Sequence, residues 1–210
     1  MGYVFDLDGT LVDSVPTLLR VINTVLGEYS LKETDREENL SVAGWGLITM
    51  FEKTIAKRID DPDMIELLVE KMLTLYKHDP ITGTRGYPGA FECLKALQER
   101  DECIGLITNK LLYPTRKILS ANFPGIEFTK IYTPDGGWEP KPSSQSLLDF
   151  KRNYTDGHLV YVGDTELDYM TSYKVADEVR LATWGYRGRE KLLKDGFPED
   201  ILIEDFTEVM

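Results

Sequence analysis

The sequence predicts an α/β fold: a parallel β-sheet joined by right-handed helical crossovers, with a small all-helical domain inserted after the first strand. Three observations lead there. From residue 85 onward, short strand patterns at 103–107, 128–132, 159–162 and 178–182 alternate with helical patterns, and strand–helix alternation is the signature of a parallel sheet. Residues 15–80 show helical periodicity and loops but no strand pattern. The apolar run 3–5 ends directly on Asp6-Leu7-Asp8-Gly9, two acids and a glycine at a strand's carboxyl end, where open α/β sheets bind ligands. The predicted domains are a core, residues 1–14 and 85–210, and a helical cap, residues 15–84, placed to hang over the strand ends.

In chain order, Pro16 suits the first turn of a helix, with Ser14 near a capping position. Leu18, Leu19, Val21, Ile22, Val25, Leu26 and Tyr29 then recur with helical spacing. Residues 31–39 are charged and read as a loop with a short helix. Residues 41–46 are small and turn-prone, and 47–57 are helical. Pro62 starts a helix to about Tyr76. After Tyr87-Pro88-Gly89 a helix runs to about Arg100 and the strand 103–107 follows. Pro114 opens a helix to about Asn122. Strand 128–132 leads through Gly136-Gly137 to Lys141-Pro142, and Ser143 caps a helix through Phe150. Strand 159–162 ends in Gly163-Asp164, a helix continues to about Val175, and strand 178–182 follows. Residues 201–203 read as an edge strand.

Composition narrows the function. A chain of 210 residues with 42% hydrophobic content can bury a substantial core. Its net charge of −12 disfavours nucleic acid and anionic membranes, which need basic patches. No apolar run is long enough to span a bilayer, and no signal peptide is expected before the first strand. The only two cysteines, Cys93 and Cys103, read as reduced residues of a cytoplasmic protein. The two histidines, His78 and His158, lack metal-ligand spacing.

Four polar groups fall at predicted strand ends or just beyond: Asp6/Asp8, Thr108/Asn109, Lys141, and Asp164 with Asp168. Each has an ordinary alternative. Asp6, Asp8 and Gly9 are common turn residues. Thr-Asn after a strand is usually a turn, Lys141 a solvated lysine, Asp164 a helix cap and Asp168 a surface acid. Together they form a consistent set, because a parallel sheet brings all these ends to one edge. Carboxylates held close repel and require a cation or a proton.

The ordered pattern Asp6-x-Asp8-Gly9-Thr10, Thr108-Asn109, Lys141-Pro142 and Gly163-Asp164-x3-Asp168 resembles the haloacid dehalogenase superfamily across essentially the whole chain. Residues 6–14, Thr108-Asn109-Lys110 and Thr183-Trp184-Gly185-Tyr186-Arg187-Gly188 look most like its phosphoglycolate phosphatase branch. The helix after Asp168 is bulkier than is usual there and ends in Ala176-Asp177 rather than Ala-Gly.

The resemblance implies a Rossmann-like core and a Mg²⁺-dependent phosphatase acting on a small phosphomonoester, 2-phosphoglycolate being one candidate. Asp6 would be the nucleophile forming an aspartyl-phosphate, and Asp8 the general acid and base. Thr108 and Asn109 would donate to the phosphoryl oxygens, with Lys141 as the fixed positive charge. Asp6, the Asp8 carbonyl and Asp164 would hold Mg²⁺, with Asp168 binding the metal or its water. The cap would close over the site. Within residues 42–50, Trp45 reads as core packing or as a wall of the substrate pocket. Lys110 and Arg187 read as solvated surface or as charges at the mouth favouring an anionic leaving group. A sugar-phosphate mutase, a pyrophosphatase or nucleotidase, and a non-catalytic phosphate-binding protein are the alternatives. Oligomeric state is left open.

Overall fold

The structure is a computed structural model describing residues 1–42 and 44–210. The chain divides into two compact units, one of Met1–Asp13 with Gly86–Met210, the other of Ser14–Arg85.

The first unit is built on a six-stranded parallel sheet. Its strands are β1 (Gly2–Phe5), β4 (Cys103–Ile107), β5 (Lys130–Tyr132), β6 (Leu159–Gly163), β7 (Glu178–Ala182) and β8 (Leu202–Ile203), in the order β5-β4-β1-β6-β7-β8. Two-residue strands β2 (Val12–Asp13) and β3 (Arg85–Gly86) bracket the inserted segment in sequence. β1 is buried along its whole length, as a strand covered on both faces must be, which is why its sequence is a continuous apolar run. Alternate side chains serve the two faces. Tyr3, Phe5, Ile104, Leu106, Val160 and Val162 pack with α5 (Ala90–Glu99) and α6 (Leu112–Asn122). Val4, Ile107, Leu159 and Tyr161 pack with Leu147 and Phe150 of α7 (Gln145–Tyr154).

From β1 the chain next enters the sheet at β4 on one side. From β6 it passes through α8 (Glu166–Ser172) to β7 on the other. The strand order therefore reverses between β1 and β6, and the crevice outside their carboxyl ends is where such sheets bind ligands. The register aligns Phe5 with Val162, and the Asp6 N–H donates to the Val162 carbonyl at 2.9 Å. Asp6 and Asp164 thus leave adjacent strands at that crevice.

Several element ends differ from the sequence reading. α6 begins at Leu112, two residues before Pro114, because the Asp135 carboxylate accepts the Leu112 N–H at 2.9 Å. Pro114 still lies in the first turn, where no N–H is needed. β5 begins at Lys130 rather than 128, Thr129 using its hydroxyl to accept from the Ile104 N–H. α7 runs to Tyr154, and its N-cap is Ser144, whose hydroxyl donates to the Thr171 carbonyl instead of capping. α8 stops at Ser172, where turn hydrogen bonds from Val175 and Ala176 close on the Ser172 carbonyl. After β7 comes α9 (Gly188–Lys194). No helix among the described residues is long and apolar enough to cross a membrane.

The second unit holds α1 (Val15–Glu28), α2 (Arg36–Leu40), α3 (Leu47–Ala56) and α4 (Pro62–His78). Their apolar stripes meet in one core around Val21, Ile22, Leu26, Phe51, Ile55, Leu68 and Met72. Trp45 is not part of that core. It is 50% exposed, with the Lys53 ammonium 5.6 Å from its ring, so the core-packing expectation fails. Gly44 and Gly46 flank it with φ of 94° and 92°, a turn ahead of α3. Ala43, within the 42–50 stretch singled out above, lies outside the described residues.

Arg58 organises the polar edge of this unit. Its guanidinium forks onto both Glu38 oxygens at 2.8 Å and also donates to the carbonyls of Lys32, Glu33 and Thr54. The loop before α2 is thereby tied to the end of α3. Removing Arg58 leaves a part-buried Glu38 and three carbonyls without their donor, so Arg58→Ala should cost about 1–3 kcal/mol in urea unfolding at pH 7. Arg58 holds the Glu38 carboxyl down at about 2. A depressed acid stabilises the fold above its unfolded pKa and loses that contribution as pH falls towards the folded one. Wild-type stability should therefore fall between about pH 4.5 and pH 2, and that part of the loss should be absent in Arg58→Ala.

Candidate active site

The loop after β1 turns at once. The Leu7 carbonyl accepts from the N–H groups of Leu11 (2.9 Å) and Val12 (3.0 Å), and the Gly9 N–H donates to the Val12 carbonyl at 2.9 Å. Gly9 has φ of 90°, and a Cβ there would lie 2.2 Å from Asp164 Oδ2. Gly185 presses from another side, where a Cβ would lie 2.3 Å from the Asp164 Cβ and 2.6 Å from the Gly9 carbonyl oxygen. Asp164 is thus seated between two glycines, which lack the side-chain atoms that would push it away. Thr10 Oγ1 donates to Asp164 Oδ1 at 3.1 Å and the Tyr186 N–H to Oδ2 at 2.7 Å, fixing the carboxylate's orientation. Gly185→Ala should displace Asp164 and lower the melting temperature, readable by calorimetry without any assay of turnover.

The turn also separates Asp6 from Asp8. Asp6 is buried, and Lys141 Nζ lies 2.8 Å from its Oδ1. Asp8 is met instead by Lys110 Nζ, 3.1 Å from its Oδ2. Each acid therefore has its own lysine. Lys110 was expected either in solvent or at the mouth; its side chain is only 4% exposed, so the surface reading is wrong. Lys141 is buried too, its Nζ bridging Asp6 and Asp168 Oδ1 at 2.7 Å.

Asn109 locks the Lys141 loop. Its Oδ1 accepts from the Lys141 N–H at 2.7 Å and its Nδ2 donates to the Lys141 carbonyl at 3.2 Å. Its side-chain amide, expected to donate to a phosphoryl group, holds the Lys141 backbone through both of its polar atoms. Thr108 is buried at the end of β4. Its N–H donates to the Tyr132 carbonyl, and its Oγ1 accepts from the Lys110 N–H at 3.1 Å, leaving the hydroxyl hydrogen to donate.

Asp168 is fully buried, not a surface acid. Five donors converge on it. The N–H groups of Asp164 and Thr165 and the Thr165 hydroxyl reach Oδ2, and Lys141 Nζ and the Tyr161 hydroxyl reach Oδ1. Thr165, not Asp164, is the N-cap of α8, in a capping box with Asp168. Sequence reasoning missed Thr165, although Thr-x-x-Asp is close to that signature. It also missed Tyr161, whose position on β6 looks like an ordinary core residue. Arg187 is not solvated either, its side chain being 10% exposed and forked onto Glu166 through Nε (2.8 Å) and a terminal nitrogen (2.9 Å).

Burial pushes the Asp6 carboxyl up to about 7, even though Lys141 pulls the other way. Burial, reinforced by Asp168 and Asp6, raises Asp164 well above the carboxylate range. Burial opposes ionisation of Asp168 as well, but Lys141 and the hydrogen bonds from Thr165 and Tyr161 outweigh it and lower its pKa. One buried ammonium is therefore too little positive charge for three acids. Asp6, Asp164 and Asp168 each offer an oxygen within 4.8 Å of the others. An all-oxygen, electron-rich donor set short of positive charge fits a hard divalent cation such as Mg²⁺. Through the five donors on it, Asp168 also ties Lys141 to the 164–165 turn.

The family of haloacid dehalogenase-like hydrolases matches residues 3–179 of this chain. The chain is 33% identical over 189 residues to the phosphoglycolate phosphatase of Cereibacter sphaeroides (strain ATCC 17025), covering 89% of this chain and 86% of that one. It is 31% identical over 192 residues to that of Rhodospirillum rubrum, covering 87% and 79%. A solved structure from Haemophilus somnus 129PT superposes with a TM-score of 0.84 at 23% identity, over 99% of this chain and 95% of that one, which speaks for the fold. The chain belongs to the haloacid dehalogenase-like hydrolase family, in the branch similar to phosphoglycolate phosphatases.

Proposed function

We propose that this protein is a Mg²⁺-dependent phosphatase of small phosphomonoesters, with 2-phosphoglycolate as substrate, working through a phosphorylated Asp6. The observation that carries the reading is the placement of Asp6. It is a buried carboxylate at the switch point of the sheet, clamped by Lys141 on one side and facing Asp164. The names of the relatives support 2-phosphoglycolate as the substrate.

In the first step an Asp6 oxygen bonds to phosphorus as the bond from phosphorus to the ester oxygen breaks. Asp8 gives its proton to the departing alkoxide. In the second, Asp8 takes a proton from water, the water oxygen attacks phosphorus, and the bond to Asp6 breaks, releasing phosphate and restoring the carboxylate. Lys141 and Thr108 meet the charge on the transferring group. Such preorganised donors supply most of the catalysis in phosphoryl transfer. Asp6, the Asp8 main-chain carbonyl and Asp164 would hold Mg²⁺, whose positive charge would offset that of the phosphoryl oxygens. The half-buried Cys103 and buried Cys93, both free thiols, suit a cytoplasmic setting.

The test is phosphate release from a panel of phosphomonoesters, with Mg²⁺ and with chelator. Release confined to Mg²⁺ and greatest for 2-phosphoglycolate is expected. No release from any ester would overturn the reading, and release greatest for another ester would overturn the substrate.

A further inference from the structure

We infer that Lys110 selects the leaving group: it favours phosphate esters whose alcohol bears a carboxylate on the carbon next to the ester oxygen. The inference rests on the reading above of Asp8 as the acid that protonates that oxygen.

The two lysines of the site divide its charge. Lys141 stands on Asp6, where the phosphoryl group is received, and Lys110 stands on Asp8, where the alcohol departs. A proton donor must come within about 2.6–3.2 Å of the oxygen it protonates. Lys110 Nζ is 3.1 Å from Asp8 Oδ2, so it borders the space the departing alcohol occupies. Its backbone is fixed there, the Lys110 N–H donating to Thr108 Oγ1 and the Thr108 N–H to the Tyr132 carbonyl of β5. A substrate carboxylate one carbon from the leaving oxygen falls within Coulombic reach of this ammonium, whose side chain is itself almost withdrawn from solvent, where such attraction exceeds that in bulk water. The local charge matters because the protein as a whole carries −12 and repels a trianionic ester. A neutral alkyl group in the same place gains nothing from it.

A purely structural Lys110, one that only orients Asp8, would affect every ester alike. The decisive readout is therefore a ratio: kcat/KM for 2-phosphoglycolate over kcat/KM for ethyl phosphate, which keeps the carbon count but lacks the carboxylate. Both are measured at saturating Mg²⁺ for wild type, Lys110→Met and Lys110→Arg. Lys110→Met should lower the ratio by roughly 10- to 100-fold, the scale of one charge-assisted hydrogen bond, chiefly through KM for the carboxylated ester. Lys110→Arg should restore part of it. An unchanged ratio, with both esters slowed equally, would overturn the inference and leave the phosphatase reading standing. A wild type that hydrolyses neither ester would overturn both. A second measurement needs no variant: glycolate should inhibit wild-type hydrolysis of ethyl phosphate far better than glycolamide, and equal inhibition would overturn the inference.

Discussion

Asp6→Asn should abolish phosphate release, by roughly 10⁴- to 10⁶-fold, the scale on which losing a nucleophile acts in other covalent mechanisms. Asparagine keeps the shape of the side chain but cannot form the phosphorylated intermediate. The fold should survive, for a reason visible in the site. Burial raises the Asp6 pKa to about 7, against an ordinary 3.8. An acid raised in the folded state costs stability as pH climbs, because the unfolded chain ionises first. Between about pH 4 and pH 7 the wild type, freed of metal by chelator, should lose stability that the variant keeps. At pH 8 the variant should be at least as stable in urea. Phosphate release and urea midpoints at pH 5 and pH 8 check the two halves. Undiminished release would remove Asp6 from the mechanism, and an unfolded variant would show that the carboxylate is structural.

Lys141→Met should affect both chemistry and stability. The ammonium lies between Asp6 and Asp168, at 2.8 Å and 2.7 Å, with almost no exposure to solvent. Its removal leaves two buried carboxylates without their cation. That should cost the metal-free protein about 3–5 kcal/mol near neutral pH. The cost should shrink at pH 5, where the orphaned acids take up protons instead. Turnover should fall by about 10³-fold, as when one preorganised donor to a developing charge is lost. Lys141→Arg should rescue little, because a planar fork cannot occupy the point between two carboxylates that an ammonium fills. Saturating Mg²⁺ should return part of the lost stability. A variant as stable as wild type at pH 8 in chelator would contradict the charge balance described for this site.

Much of the fold was legible because a parallel sheet covered on both faces makes its strands apolar throughout. That is why Tyr3–Phe5, 103–107 and 159–162 stood out as strands, and why the helical stretch between the first two read as an insert. The chemistry-bearing residue types were legible for a related reason: Asp6, Thr108, Lys141 and Asp164 follow strands or lie in the loops beyond them, and parallel strands end on one edge. Element ends were not legible where a distant group decides them, as Asp135 does for the start of α6.

The sequence by itself put Asp6, Asp8, Thr108, Lys141 and Asp164 at one edge of a parallel sheet, but not Thr165 or Tyr161. Only the tertiary structure decided what each one does there: that Asp8 answers to Lys110 and Asp6 to Lys141, that Asn109 serves the Lys141 backbone, that five donors converge on Asp168, and that Arg187 pairs with Glu166. The reason is physical. Periodicity and turn chemistry are local properties of a few consecutive residues. The sign and strength of a buried carboxylate's environment depend on groups such as Thr10 and Asp164, which lie 154 positions apart and meet only once the sheet has formed.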